Sequence, residues 1–219
     1  MFTGFTDETV DFMWGIRFNN EKPWFEAHKE TYLRSFYQPM RALGEELRDF
    51  LADRRPEYGL IAKTTRIYRD ARRLHGRGPY KDHLWFCVEQ PSEQWTARPT
   101  FWFELPPDGW SYGLGYYMAR PLTMAKLRAR IDRDPKTMEA LTRKLARQTE
   151  FALETEDYKR PRSAAPSPLL EPWYRFTLRL PQDCLGRALA ERLKEGYGFL
   201  LPYYDYFVTL EGDPDPREL

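Results

Sequence analysis

Between Lys63 and Lys81 the chain gathers seven basic residues, Lys63, Arg66, Arg69, Arg72, Arg73, Arg77 and Lys81, against the single acid Asp70. A guanidinium presents paired N–H donors that match the oxygens of a phosphate or carboxylate, so such a run can hold an anion. Gly76, Gly78 and Pro79 shape a tight loop whose backbone N–H groups would add to an anion nest. Tyr80 and His75 offer a donor and a titratable group. Asp70 can serve as a base, as a metal ligand, or as the ion-pair partner that orders the arginines. The same residues also suit a solvated hairpin that only solubilises the protein or pairs with acids elsewhere. The whole chain carries a net charge of +1, so the positive charge is local and the remainder is acidic. That balance argues against general nucleic-acid coating, which requires a basic domain.

Other constellations carry less chemistry. Asn19 and Asn20 could present amides to a ligand beside the basic loop, or simply end a helix. Trp24 and Phe25 read as core anchors, and His28, one turn after Trp24, either faces the same cleft or packs. His28, His75 and His83 show no metal-ligand spacing, and a carboxylate magnesium site on Asp70 or Asp82 has nothing to motivate it, so no metal is expected. Gly113-Leu114-Gly115 is no dinucleotide fingerprint, because Met118 stands at the third glycine position. Its neighbours Tyr112, Tyr116 and Tyr117 could stack on a base, or fill a core beside a twisted strand. Cys87 lies in an apolar run, and Cys184 sits beside Asp183, which opposes thiolate formation.

Two motifs resemble those of a known family. Asn19-Asn20, Trp24-Phe25, His28-Lys29 and Tyr32 fit N-N-x-x-x-W-F-x-x-H-K-x-x-Y. Arg66-Ile67-Tyr68-Arg69-Asp70, Arg72 and Pro79-Tyr80-Lys81 fit R-I-x-R-D-x-R-F-x-x-D-K-x-P-Y-K. These are similar to the signatures of a mainly microbial family of domains of unknown function. Weaker echoes continue at Gly113-Leu114-Gly115-Tyr116, at Arg128 and Ile131, and at Tyr158-Lys159-Arg160-Pro161. The departures are Arg73 in place of the Phe, and Gly76-Arg77 in place of the Asp-Lys pair, which removes one acid from any proposal of base catalysis. The resemblance implies one domain and brings no activity with it.

These residues need elements to position them. Thr6 caps a first helix with Val10, Met13, Trp14 and Arg17 on one face, and Pro23 opens a second. Phe25, Tyr32, Phe36, Met40, Leu43, Leu47 and Phe50 recur at the helical period, with Pro39 predicting a kink or two successive helices. Thr64–Tyr68, Leu84–Glu89, Thr100–Leu105 and Trp110–Met118 read as strands, the last two joined by the turn Pro106-Pro107-Asp108-Gly109. Helices follow at 123–133 and 135–148, and 152–155 returns toward strand. A proline-bearing arm then leads to a fifth strand at 174–180, a helix at 183–194 and an aromatic helix at 202–210. The expectation is a single α+β domain over residues 1–210. It has an antiparallel sheet of about five strands packed against N-terminal and C-terminal helices, and a disordered tail at 211–219.

With 219 residues and an aromatic share of 16%, the core is expected to rest on rings more than on Leu and Ile. Asp7, Glu8 and Asp11 interrupt any leader-like apolar stretch, and two cysteines make no disulfide framework, so the setting reads as reducing and cytoplasmic. No membrane segment is expected. The function expected first is binding, with or without turnover, of a phosphorylated or carboxylated small molecule. Arg66, Arg69, Arg72 and Lys81 would hold the anion, Tyr80 would donate, Asn19, Asn20 and His28 would line the site, and Asp70 would orient Arg69 or act as base. The alternative is a non-catalytic module whose basic hairpin docks an acidic protein or RNA. Which cofactor, if any, takes part stays open, as does whether the protein is an enzyme.

Overall fold

In the computed structural model, residues 1–74, 76–153, 165–174 and 188–218 are described. Helix α1 (Asp7–Phe18) starts from extended Thr6, with Asp7 and Glu8 in its first turn, where acids favour the helix dipole. The fully buried Thr9 hydroxyl accepts the Thr6 N–H at 3.1 Å and donates to the Ser35 carbonyl at 2.6 Å. That carbonyl lies four residues before Pro39, which has no N–H to give it. The expected break at Pro39 takes this form. After α2 (Lys22–Ala27) and the short α3 (Lys29–Thr31), the chain runs π-helical over Tyr32–Tyr37 and then enters α4 (Gln38–Ala52). Met40, Leu43, Leu47 and Leu51 are buried at helical spacing on α4, which packs on the first strand.

The fold is α+β. Strands β1 (Ile61–Thr64), β2 (Leu84–Glu89), β3 (Pro99–Leu105) and β4 (Ser111–Tyr116) form one antiparallel sheet in the order β1-β2-β3-β4. A short turn joins β3 to β4, where Gly109, at φ 155°, has a conformation that favours glycine. The first strand lies earlier than its β-rich sequence suggests. Beyond Thr65, whose N–H still donates to the Trp85 carbonyl at 2.9 Å, the chain leaves the sheet, and Tyr68 pairs with Tyr80 in an isolated antiparallel bridge. Arg69 N–H donates to the Pro79 carbonyl at 2.8 Å, and Lys81 N–H to the Ile67 carbonyl at 2.7 Å. Pro79 has no N–H to extend that ladder, so β-propensity at residues 64–68 yields a clasp instead of a strand. The expected fifth strand lies beyond Tyr174, outside the described residues, as do Cys184, His75 and the motif echo at 158–161.

The chain divides into two compact units. The first comprises Met1–Val88, Trp102–Tyr112 and Pro181–Glu195. Its core stacks Phe86 and Phe5 on Phe103, with ring centroids 5.5 and 6.4 Å apart. The second comprises Glu89–Phe101, Gly113–Leu180 and Gly196–Leu219. There Phe101 meets Tyr197 and Tyr204 at 5.1 and 4.8 Å, and Trp173 is buried against Tyr203. Both cores are ring-built, as the composition suggested. Helices α5 (Pro121–Arg133) and α6 (Pro135–Ala146) pack on one another in this unit. The Arg130 guanidinium binds both Asp213 oxygens at 2.7 Å, and that pairing, more than offsetting burial, holds the Asp213 carboxyl below its usual range.

The last helix corrects the sequence reading. Where two helices were expected, α7 (Ala188–Val208) runs through Pro202. An interior proline costs a hydrogen bond and creates a clash, but Tyr197, Leu200, Leu201, Tyr204 and Phe207 are all buried along this helix, and that packing holds it together. Among the described residues no helix is long and apolar enough to cross a membrane.

Candidate functional site

The two sequence motifs are in direct contact. The Asn20 amide donates to the Tyr80 carbonyl and accepts the Tyr80 N–H, both at 2.9 Å, across sixty residues of sequence. Phe25, 1% exposed, stacks on Tyr80 with centroids 4.3 Å apart and touches Tyr68 at 5.7 Å. Tyr32 reaches the Ile67 backbone, and burial raises its phenol pKa far above the ordinary value. The N-terminal motif is therefore a shelf of amide and rings on which the clasp at residues 67–69 and 79–81 rests. Gly78 fits because it has no side chain, since a Cβ there would lie 2.2 Å from Asn20 Oδ1.

The arginines divide by what they do. Arg69 donates from Nε to the Tyr80 carbonyl at 2.7 Å and lies 3.8 Å from Asp82 Oδ1, so it braces the clasp from inside. Asp70 accepts the Arg72 N–H and Nε at 3.0 Å and its terminal nitrogen at 2.8 Å, forming a turn closed by an exposed ion pair. Such a pair adds little stability. Arg66 and Arg77 are exposed. Lys81 donates from Nζ to the Arg66 carbonyl at 2.8 Å, and burial lowers its pKa, with the nearby Arg66 and Arg69 adding to the effect. Tyr80 is buried, which raises its pKa, so it acts more as a platform than as a donor to solvent. Asn19 ends α1 by donating to the Gly15 carbonyl at 3.0 Å, and His28 stacks on Trp24 at 3.9 Å with Nδ1 2.8 Å from the Trp24 carbonyl. The contacts of those last two lie away from the clasp.

Sequence reasoning passed over a second set of groups. Asp82 receives Arg17 Nε at 2.6 Å and faces His83 Nδ1 at 3.0 Å, while His83 Nε2 lies 3.5 Å from Glu104. Arg17 also binds Asp108 at 2.7 Å. Glu104 in turn acts electrostatically on Lys81, so one corner holds Arg66, Lys81, His83, Asp82 and Glu104. Carboxylates therefore face both ring nitrogens of His83. The available signal was the Asp82-His83 pair next to the motif, one step before β2. Glu104 could join it only through the register of β2 and β3. No group of three potential metal ligands occurs among the described residues.

Asp82 carries a pH dependence. Burial raises its pKa, but hydrogen bonds from Arg17 and His83 outweigh that and leave it below the ordinary value. A depressed carboxyl stabilises the fold above its unfolded pKa of about 4, and the contribution disappears as pH falls through the folded value. Asp82→Asn should cost about 1.5 to 3 kcal/mol at pH 7, the range for a hydrogen bond to a charged group. Its unfolding midpoint should fall less than that of wild type below pH ~4. Parallel pH profiles in urea melts would show that the Asp82 pair contributes nothing.

The chain belongs to the family of conserved hypothetical proteins DUF2461, whose model matches residues 8–206. No curated protein matches it.

Proposed function

We propose that this DUF2461 member binds a small phosphate- or carboxylate-bearing molecule at the corner of Arg66, Lys81 and His83. The observation that supports it most is the Lys81 Nζ bond to the Arg66 carbonyl, which draws an ammonium beside Arg66 and Arg69. Cations gathered this way repel one another, and an incoming anion relieves that repulsion. Arg66 supplies the exposed fork and Lys81 a point charge, while Arg69 and Asn20 hold the backbone they stand on. For turnover, His83 is better placed than Asp70 to move a proton, because Asp82 orients it and Asp70 is engaged by Arg72.

A thermal-shift screen of phosphorylated compounds and organic acids at matched ionic strength tests this reading. A ligand at about a hundred times its dissociation constant adds about 2.7 kcal/mol, a rise of roughly 5 to 10 °C for a chain of this length. The rise should vanish in Arg66→Ala, and a rise that persists there would place the ligand elsewhere.

A second reading rests on the exposure of Arg72 and Arg77 at the loop tip, where a basic hairpin could dock RNA or an acidic protein. Affinity for RNA would then fall steeply and linearly with salt on a log–log plot. A flat response with a small anion bound favours the first reading.

A further inference from the structure

A different set of cations lies in the second unit. Arg98, Arg120 and Lys126 line one cleft of about 190 Å³ with Gln94, Thr123 and Tyr116. One lining residue is acidic, Glu211, and it is already paired with Arg98. Lys126 donates to the Glu211 carbonyl at 2.7 Å, and Arg120 to Gln94 Oε1 at 2.8 Å, which fixes the directions of both side chains. The carboxylates that act on Lys126 from nearby, Asp213 and Asp215, are bound by Arg130 and Arg217. Positive charge in the cleft thus exceeds the acid available to it. The first turn of α5 has no side-chain cap, and its residues Leu122 and Thr123 line the same cleft.

The volume limits what enters. At roughly 30 Å³ per water, the cleft holds about six waters, enough for a phosphate and part of a sugar but too little for a whole cofactor. The rest of a ligand would lie at the rim. Next along the chain from the lining residues Gln94 and Tyr116 stand Trp95 and Tyr117, whose rings pair at 5.7 Å. Tyr117 is 69% exposed, and the Met118 N–H bond to the Thr96 carbonyl at 2.8 Å pins the two segments together. An exposed ring one residue along the chain from a cationic cleft's lining can stack a base while its phosphate is held.

We propose that this cleft binds the phosphate of a nucleoside monophosphate, with the base stacked on Tyr117 beside Trp95. Its lining includes no residue of the Arg66 corner, and the proposal does not rest on that reading. The test is calorimetric titration of adenosine monophosphate, ribose 5-phosphate and inorganic phosphate at fixed ionic strength. The protein would be wild type, Arg120→Ala, Lys126→Gln, Tyr117→Ala and Arg66→Ala. Adenosine monophosphate should bind at least about tenfold more tightly than the other two, as one stacked base warrants. Tyr117→Ala should bring it to the level of ribose 5-phosphate. Arg120→Ala or Lys126→Gln should weaken all three. No nucleotide binding up to about 10 mM, or an affinity no better than that of phosphate, would overturn the proposal. Binding lost in Arg66→Ala and kept in Arg120→Ala and Lys126→Gln would overturn it as well, and would credit the first corner.

Discussion

Phe25→Ala should lower the unfolding free energy by about 3 to 5 kcal/mol, the cost of truncating a buried phenylalanine where the cavity cannot close. Phe25 is 1% exposed, and three rings meet it: Tyr80 at 4.3 Å, Tyr32 at 5.6 Å and Tyr68 at 5.7 Å. Those rings belong to separate segments, so they cannot collapse into the gap together without moving the clasp. Denaturant melts would give the loss. Amide exchange would localise it, since the Arg69 and Lys81 N–H groups that close the clasp should exchange faster than those of β2. A loss under about 1 kcal/mol would mean that the shelf does not carry the loop.

Gly78→Ala should be the most disruptive single methyl in the loop. Its Cβ would lie 2.2 Å from Asn20 Oδ1 and 2.5 Å from Asn20 Cβ, inside any tolerable contact. The short amide has little room to give, and moving it breaks both bonds to Tyr80, at about 1 to 3 kcal/mol for each buried group left unpaired. A double-mutant cycle separates this clash from a backbone effect. Adding Gly78→Ala to Asn20→Gly should cost much less than adding it to wild type, because the atoms it would strike are gone. Additive costs would place the damage in the backbone of residue 78.

Periodicity and turn chemistry made the helices α1 and α4, three of the strands and the Gly109 turn readable from the chain, because each depends on neighbours in sequence. The failures were tertiary. Thr64–Tyr68 carries the residues of a strand, but its partner segment begins at Pro79, which cannot donate, so the pairing stops at one bridge. Pro202 reads as a break, yet α7 passes through it because Tyr197, Leu201 and Tyr204 are buried along it. At the site, residue types pointed to the Arg66–Lys81 segment, while their division of labour depended on contacts that sequence does not show. Asn20 looked like a ligand-binding amide and is engaged by the Tyr80 backbone. Asp70 was open between base, metal ligand and ion-pair partner, and it closes a turn with Arg72. His83 drew attention only as an unpaired histidine, because Glu104 reaches it through strand register and Asp82 is set by Arg17 from another helix.

The titration to perform first takes the compound that gives the largest thermal shift and measures its affinity for wild type, Arg66→Ala and Lys81→Met. If the corner is the binding site, each substitution weakens binding by at least about tenfold, or about 1.4 kcal/mol, while unfolding midpoints stay near wild type. Equal affinities in all three proteins would contradict that assignment and leave the clasp as a structural device alone.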